Sequence, residues 1–210
     1  MGRRFESAVV NVGCGVRSMD RVRVVASDDV LAVALADGAG GMAAGDRAAD
    51  AAVEVLSAEG VAVWLATDGL AASARLDALD RRLARSAHGG QCTAVLVGIG
   101  EGRVVGASVG DSGVWCGDRT TRHDLTRAQQ HKPLLGDGGA TAVAFSAAFA
   151  GGRVLVASDG LFHYAPGDQI WEVAMTGTVS EAVARLVALV RLPGGSLCDD
   201  LSIALIGRVD

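Results

Sequence analysis

Four Asp-Gly pairs punctuate the chain, at 37–38, 68–69, 137–138 and 159–160. A lone pair of this kind is most simply a turn, and turn or cap suffices for Asp68 and Asp137. Asp37 and Asp159 differ in what precedes them: Asp37 closes the apolar run VLAVALA, and Asp159 closes RVLVAS. Asp111 follows VVGASVG in the same way, and Asp199-Asp200 stands directly ahead of LSIALI. Runs of that composition read as strands. If the strands are neighbours in compatible directions, four or five carboxylates meet at one end of a sheet.

Carboxylates gathered that closely repel one another, and burial raises the cost. Such a cluster needs a cation. Oxygen ligands without His or Cys at ligand spacing favour hard ions, Mg²⁺ or Mn²⁺. Two such ions about 3.5–4 Å apart make hydroxide from bridging water near neutral pH and steady the charge of an in-line displacement at phosphorus. The chemistry implied is hydrolysis of a phosphate ester.

A second reading attaches to VALADGAGGMAAGD, residues 33–46. Gly38-Ala39-Gly40-Gly41-Met42-Ala43 fits G-x-G-x-x-[GA] after a strand, with Glu59 about twenty residues on, as a dinucleotide-binding turn would. Against it, Asp37 would set a negative charge beside the pyrophosphate. The preceding strands also read as a hairpin, and Asp111, Asp159 and Asp199 would go unexplained.

The elements that must position these residues follow from pattern. Alternating or apolar runs predict strands at 7–12, 22–26, 30–36, 92–99, 103–109, 113–116, 141–146, 153–157 and 202–207. Many are separated by turns too short for parallel crossovers, so hairpins are expected. Helical spacing covers about 42–57 and 68–87, a short stretch after Pro166, and a last helix opened by the capping box Thr178-x-x-Glu181. Strands, helices, strands, helices and a last strand indicate an α+β layered fold. No linker or repeat divides the 210 residues, so one domain is expected. The polar stretch 117–140 reads as a surface segment.

Composition excludes other classes. Half the residues are hydrophobic, yet no apolar run approaches a membrane span. The start, MGRRFESAVVNV, lacks a signal peptide's apolar core, and Glu6 breaks a myristoylation pattern, so a cytoplasmic location is expected. Net charge is −5 with no dense basic cluster, which argues against nucleic acid. Cys14, Cys92, Cys116 and Cys198 are scattered and read as small core or strand residues in a reduced compartment. His88, His123 and His131 read as solvated loop residues.

Taken in order, the motifs resemble those of the PPM-type (type 2C) metal-dependent protein serine/threonine phosphatases. GVRSMDR at 15–21, ALADGAGGMAAG at 34–45, GGQCTAVLV at 89–97, VGDSG at 109–113, VLVASDGLF at 154–162 and GGSLCDDLSIALI at 194–206 each resemble a family motif. The resemblance implies a four-layer α-β-β-α sandwich of two mostly antiparallel sheets with helices outside. It implies two Mn²⁺ or Mg²⁺ ions whose hydroxide attacks phosphoserine or phosphothreonine directly, on a phosphoprotein made by a Ser/Thr kinase. By the same resemblance Asp37 bridges the ions, the Gly38 carbonyl binds one, and Asp159 and Asp199 complete the other. Asp20 holds an ion's water, Asp111 serves a third ion, and Arg17 binds phosphate, with Arg21 as its substitute.

The chain departs from the family in four places. Only two residues separate Arg17 from Asp20, with Met19 where an acidic residue is usual. Ala39 replaces a His proposed as general acid in animal members, so the leaving group's proton must come from water or elsewhere. His163 takes the place of an acidic third-metal ligand. The flap between Asp111 and Asp159 is short, so recognition is less selective or supplied by a partner. These departures admit a module that binds a phosphoprotein or regulates a partner without hydrolysis.

Overall fold

The computed structural model describes residues 4–27, 29–39, 44–56, 58–87 and 89–209. The expected helix start at 42 and the dinucleotide motif's Gly40–Ala43 lie outside the described residues, as does His88. The chain opens with three strands, β1 (Phe5–Val12), β2 (Arg21–Ala26) and β3 (Leu31–Ala36), followed by helices α1 (Gly45–Glu54), α2 (Ala58–Ala66) and α3 (Leu70–Ala84). Next come β4 (Ala94–Gly100), β5 (Arg103–Val109), β6 (Gly113–Gly117), β7 (Arg122–Asp124), β8 (Val143–Ala148) and β9 (Arg153–Ala157). Helices α4 (Asp159–Phe162), α5 (Gly167–Ala174) and α6 (Val179–Leu189) precede the last strand, β10 (Leu201–Arg208).

Alternation along the strands decides the layers. On β3, Leu31, Val33 and Leu35 join a core shared with Val154 and Val156 of β9 and Ala204 and Ile206 of β10. That core lies between two five-stranded antiparallel sheets, ordered β1-β10-β9-β6-β7 and β2-β3-β4-β5-β8. The opposite face of β3 carries only Ala32, Ala34 and Ala36, small enough for Ala48, Ala49 and Ala52 of α1 to pack on it with Trp64 and Leu76. Leu155, Ile203 and Leu205 bury the outer face of the other sheet against α4–α6. The four-layer α-β-β-α architecture is therefore present, and the described strand pairs are all antiparallel. That pairing removes the parallel β-α-β unit a dinucleotide turn requires.

Three elements escaped the pattern reading, each for a physical reason. Helix α2 is apolar nearly all round, so it shows no helical period. At 9 residues it is also shorter than the roughly 12–15 an isolated helix needs, and it depends on burying Val61 and Trp64. Strand β7, Arg-His-Asp, is exposed and polar at a sheet edge. Helix α4 is a single turn. Helix α3 begins at Leu70 rather than 68, because Asp68 and Gly69 take φ of 50° and 85°, which no right-handed helix admits. The capping box of α6 forms as expected, with the Thr178 side chain accepting from the Glu181 N–H and Glu181 accepting from the Thr178 N–H.

Register brings the strand ends together. Ile203 and Gly113 both face Ala157, so β9 ends where β10 and β6 begin. Leu201 faces Val12, placing the end of β1 at the same rim. In the other sheet Arg21 faces Ala36, Leu35 faces Val95 and Ala94 faces Val109. The start of β2, end of β3, start of β4 and end of β5 thus share a rim. Residues 13–20 cross from β1 to β2 there, and Gly110, Asp111 and Ser112 cross from β5 to β6.

Candidate metal centre and its cleft

All the strand-end carboxylates lie at that shared rim. Oxygens of Asp37, Asp111 and Asp159, each half-buried, lie within 4.8 Å of one another. They line a cleft of about 580 Å³ together with Gly38, Ala39, Thr93, Asp199 and Asp200. Asp199 is exposed and stands outside the closest trio, but its charge still acts on Asp159.

Backbone bonds fix Asp37 beyond the end of β3. Its carbonyl accepts from the Thr93 N–H at 2.8 Å, and its own N–H donates to Thr93 Oγ1 at 3.1 Å. The Thr93 hydroxyl in turn bonds Ser112 Oγ at 2.7 Å in a buried contact, tying the Asp37 turn to the Asp111 turn. Gly38 is required by close approach: a Cβ there would lie 2.7 Å from the Gly45 backbone and 2.9 Å from the Met19 carbonyl. Asp159 opens α4 after the extended Ser158.

The electrostatics are those of a site built for positive charge. Burial pushes Asp37 up to about 9, and the charges of Asp20, Asp159 and Asp111 add to the shift. Burial also raises Asp20, to about 6, with Asp200's charge contributing. Asp159 is raised by burial, then by Asp111 and Asp199. A hydrogen bond between the two carboxyls adds to the rise at Asp37 and offsets part of the rise at Asp159. Asp20 is fully buried, and neither of its oxygens has a hydrogen-bond partner, although the Ser158 and Ser202 hydroxyls lie near; Asp159 Oδ1 is likewise unpartnered.

Buried carboxylate oxygens without donors are costly, and a divalent cation removes that cost by replacing the protons. Oxygen-only donors and their mutual distance fit Mg²⁺ or Mn²⁺. Asp37, Asp111, Asp159 and Asp199, with Gly38 beside them, could hold such ions, and Asp20 is buried next to Asp37.

The arginines are placed differently. Arg21 is held by Asp50, with Nε 2.5 Å from its carboxylate, and by the carbonyls of Ser18 and Asp20, both at 2.8 Å. It clamps the 13–20 crossing to α1 and does not line the cleft. Arg17 is exposed, also stands outside the cleft lining, and makes no hydrogen bond or ion pair among the described residues. His163 caps α4, exposed beside Tyr164, and is absent from the lining.

Several cleft residues were not singled out by sequence reasoning. Asp200 accepts from the backbone N–H groups of Cys14 at 2.8 Å and Met19 at 2.6 Å, so it holds the 13–20 crossing in place. Its pairing with Asp199 was the available signal. Cys14, within the crossing, and Cys198, in the connection that precedes β10, are exposed rather than core residues; Cys92 and Cys116 are buried as expected. The segment 117–140, read as surface, supplies one wall of the cleft through His131, Lys132 and Leu134.

No family model matches the sequence, and no curated protein matches it. The fold, however, is that of bacterial serine/threonine phosphatases of the PPM type. A variant of a bacterial serine phosphatase is similar over 100% of both chains, with a TM-score of 0.79 and 18% identity. The serine/threonine phosphatase Stp1 from Staphylococcus aureus is similar over 100% of this chain and 97% of its own, at 0.77 and 18%. The catalytic domain of the serine/threonine protein phosphatase PstP, in complex with 2 manganese ions, covers 98% of this chain and 99% of its own, at 0.72 and 22%. No helix among the described residues is long and apolar enough to cross a membrane.

Proposed function

We propose that the protein is a metal-dependent phosphatase that hydrolyses phosphoserine and phosphothreonine in proteins, acting through one phosphatase domain with a short flap. The observation that carries this reading is the trio of carboxylates within 4.8 Å at the rim of a phosphatase-type sandwich. Two Mn²⁺ or Mg²⁺ ions, when bound, acidify water and offset the charge of the phosphoryl oxygens. Asp37 would bridge them with Gly38 beside it, Asp159 and Asp199 would complete the pair, and Asp111 would serve a third. Asp20, buried beneath with free oxygens, would accept hydrogen bonds from water in the cleft and orient it. Ala39 offers no proton, so the leaving group takes one from solvent through the open cleft. A cytoplasmic setting opposite a Ser/Thr kinase suits this reading.

The test is release of phosphate from p-nitrophenyl phosphate and from a phosphoserine peptide, with Mn²⁺ and with chelator. Turnover that requires Mn²⁺ is expected. Tight phosphopeptide binding with no turnover would favour a binding module instead, and turnover unaffected by chelator would contradict the metal reading.

A further inference from the structure

The cleft has an electrostatic imbalance that a phosphorylated ligand would meet. Five aspartates line it: Asp37, Asp111, Asp159, Asp199 and Asp200. Two divalent ions leave little charge to attract a phosphate dianion, and the Arg21 guanidinium is already spent on Asp50, Ser18 and Asp20. Arg17 lies outside the lining, and Arg127 lines an adjoining groove that shares only Asp111 and His131 with this one. Among the described residues, no arginine lines the cleft, and Lys132, the single lysine of the chain, does.

The backbone around Lys132 is fixed. On one side the Gln130 carbonyl accepts from the Gly110 N–H at 3.2 Å, next to Asp111, and Gln129 Nε2 donates to the Ser112 carbonyl at 2.9 Å. On the other, buried Leu135 exchanges both backbone hydrogen bonds with Cys92, at 3.1 and 3.0 Å, and Cys92 in turn pairs with Gly38. Buried Asp80 accepts from the N–H groups of Gly136, Gly138 and Ala140, locking the turn beyond. Lys132 therefore sits on a span anchored at both ends, between the Asp111 turn and the Asp37-Gly38 turn. Its side chain is exposed and makes no ion pair among the described residues, despite the acidic lining.

We propose that Lys132 is the phosphate-binding cation of this cleft, holding a non-bridging phosphoryl oxygen of the substrate opposite the carboxylates. This deepens the phosphatase reading and rests on it. A lysine suits the task as a mobile point charge with three donors, able to reach an oxygen from an exposed wall. Because the contact exists with substrate and product alike, its loss should raise KM and weaken phosphate while changing kcat less.

The experiment compares wild type, Lys132→Met, Lys132→Arg and Arg17→Ala as full chains loaded with Mn²⁺. It reads p-nitrophenyl phosphate kinetics, calorimetric titration with inorganic phosphate, and the Mn²⁺-induced shift in melting temperature. Lys132→Met should raise KM and the phosphate dissociation constant about 10-fold, with the Mn²⁺-induced shift retained. Lys132→Arg should recover most of the loss because it restores charge. Unchanged KM and phosphate affinity in Lys132→Met would overturn the proposal, as would losses confined to Arg17→Ala. A wild type that binds Mn²⁺ and phosphate without turnover would refute the phosphatase reading alone, since the titration still decides the role of the lysine.

Discussion

Asp159→Asn is expected to cut Mn²⁺-dependent turnover of p-nitrophenyl phosphate by about 10³-fold or more, on the order of 4 kcal/mol of transition-state stabilisation. The side chain keeps its shape, so α4 still starts at the same place and the cleft stays open. What changes is charge. Oxygens of Asp159, Asp37 and Asp111 lie within 4.8 Å of one another, and Asp159 Oδ1 has no hydrogen-bond donor among the described residues. An amide supplies one neutral oxygen where a carboxylate supplied a charged one, which weakens a divalent ion's hold. The same substitution removes one repelling charge from its neighbours, so the ion-free variant should melt no lower than wild type while its Mn²⁺-induced stabilisation shrinks. Kinetics at saturating Mn²⁺, measured alongside melting with and without the ion, check both halves. Wild-type turnover in the variant would remove Asp159 from the mechanism.

Gly160→Ala should unfold the rim. A Cβ at Gly160 would lie 2.1 Å from the Asp200 carbonyl oxygen and 3.1 Å from its carbon, backbone that cannot rotate away. The Asp159 turn and the entry to β10 would have to part by about an ångström. Asp200 also holds Cys14 and Met19 through its carboxylate, so the 13–20 crossing would move as well. Overpacking against fixed backbone costs about 3 kcal/mol or more. Gly151 has nothing within 4 Å of its would-be Cβ, so Gly151→Ala serves as the comparison and should lie within about 0.5 kcal/mol of wild type. Urea unfolding with and without Mn²⁺ reads the difference. A Gly160→Ala variant with the wild-type midpoint and full Mn²⁺ response would show that the close approach of these two turns carries no weight.

The sequence was most legible where a side chain's surroundings are dictated by its own strand. Asp37, Asp111 and Asp159 each end an apolar run, and antiparallel pairing with short connections then leaves few ways to arrange those ends. Register completes the convergence: Gly113 and Ile203 both face Ala157, a fact no local pattern contains. What stayed hidden depends on tertiary contacts. Arg21 carries the charge to bind phosphate, but Asp50, on a helix twenty-nine residues away, takes it. Lys132 lies in a polar stretch with no periodicity, and bonds to distant residues, among them Leu135–Cys92, Gln130–Gly110 and Gln129–Ser112, carry that stretch to the cleft. Helix α2 was missed because apolar residues on nearly every side, exposed Val63 among them, erase the amphipathic signal, while burial of Val61, Trp64 and Leu65 holds so short a helix in place.

In the proposed centre, carboxylates from distant parts of the chain gather around a pair of divalent cations at one rim of the sandwich. Anomalous diffraction from crystals grown with Mn²⁺ tests it most directly. Two manganese peaks are expected in the cleft, with Asp37 a ligand common to both and Asp159 and Asp199 among the others. A well-ordered cleft with no manganese between Asp37 and Asp159, at millimolar Mn²⁺, would contradict the account.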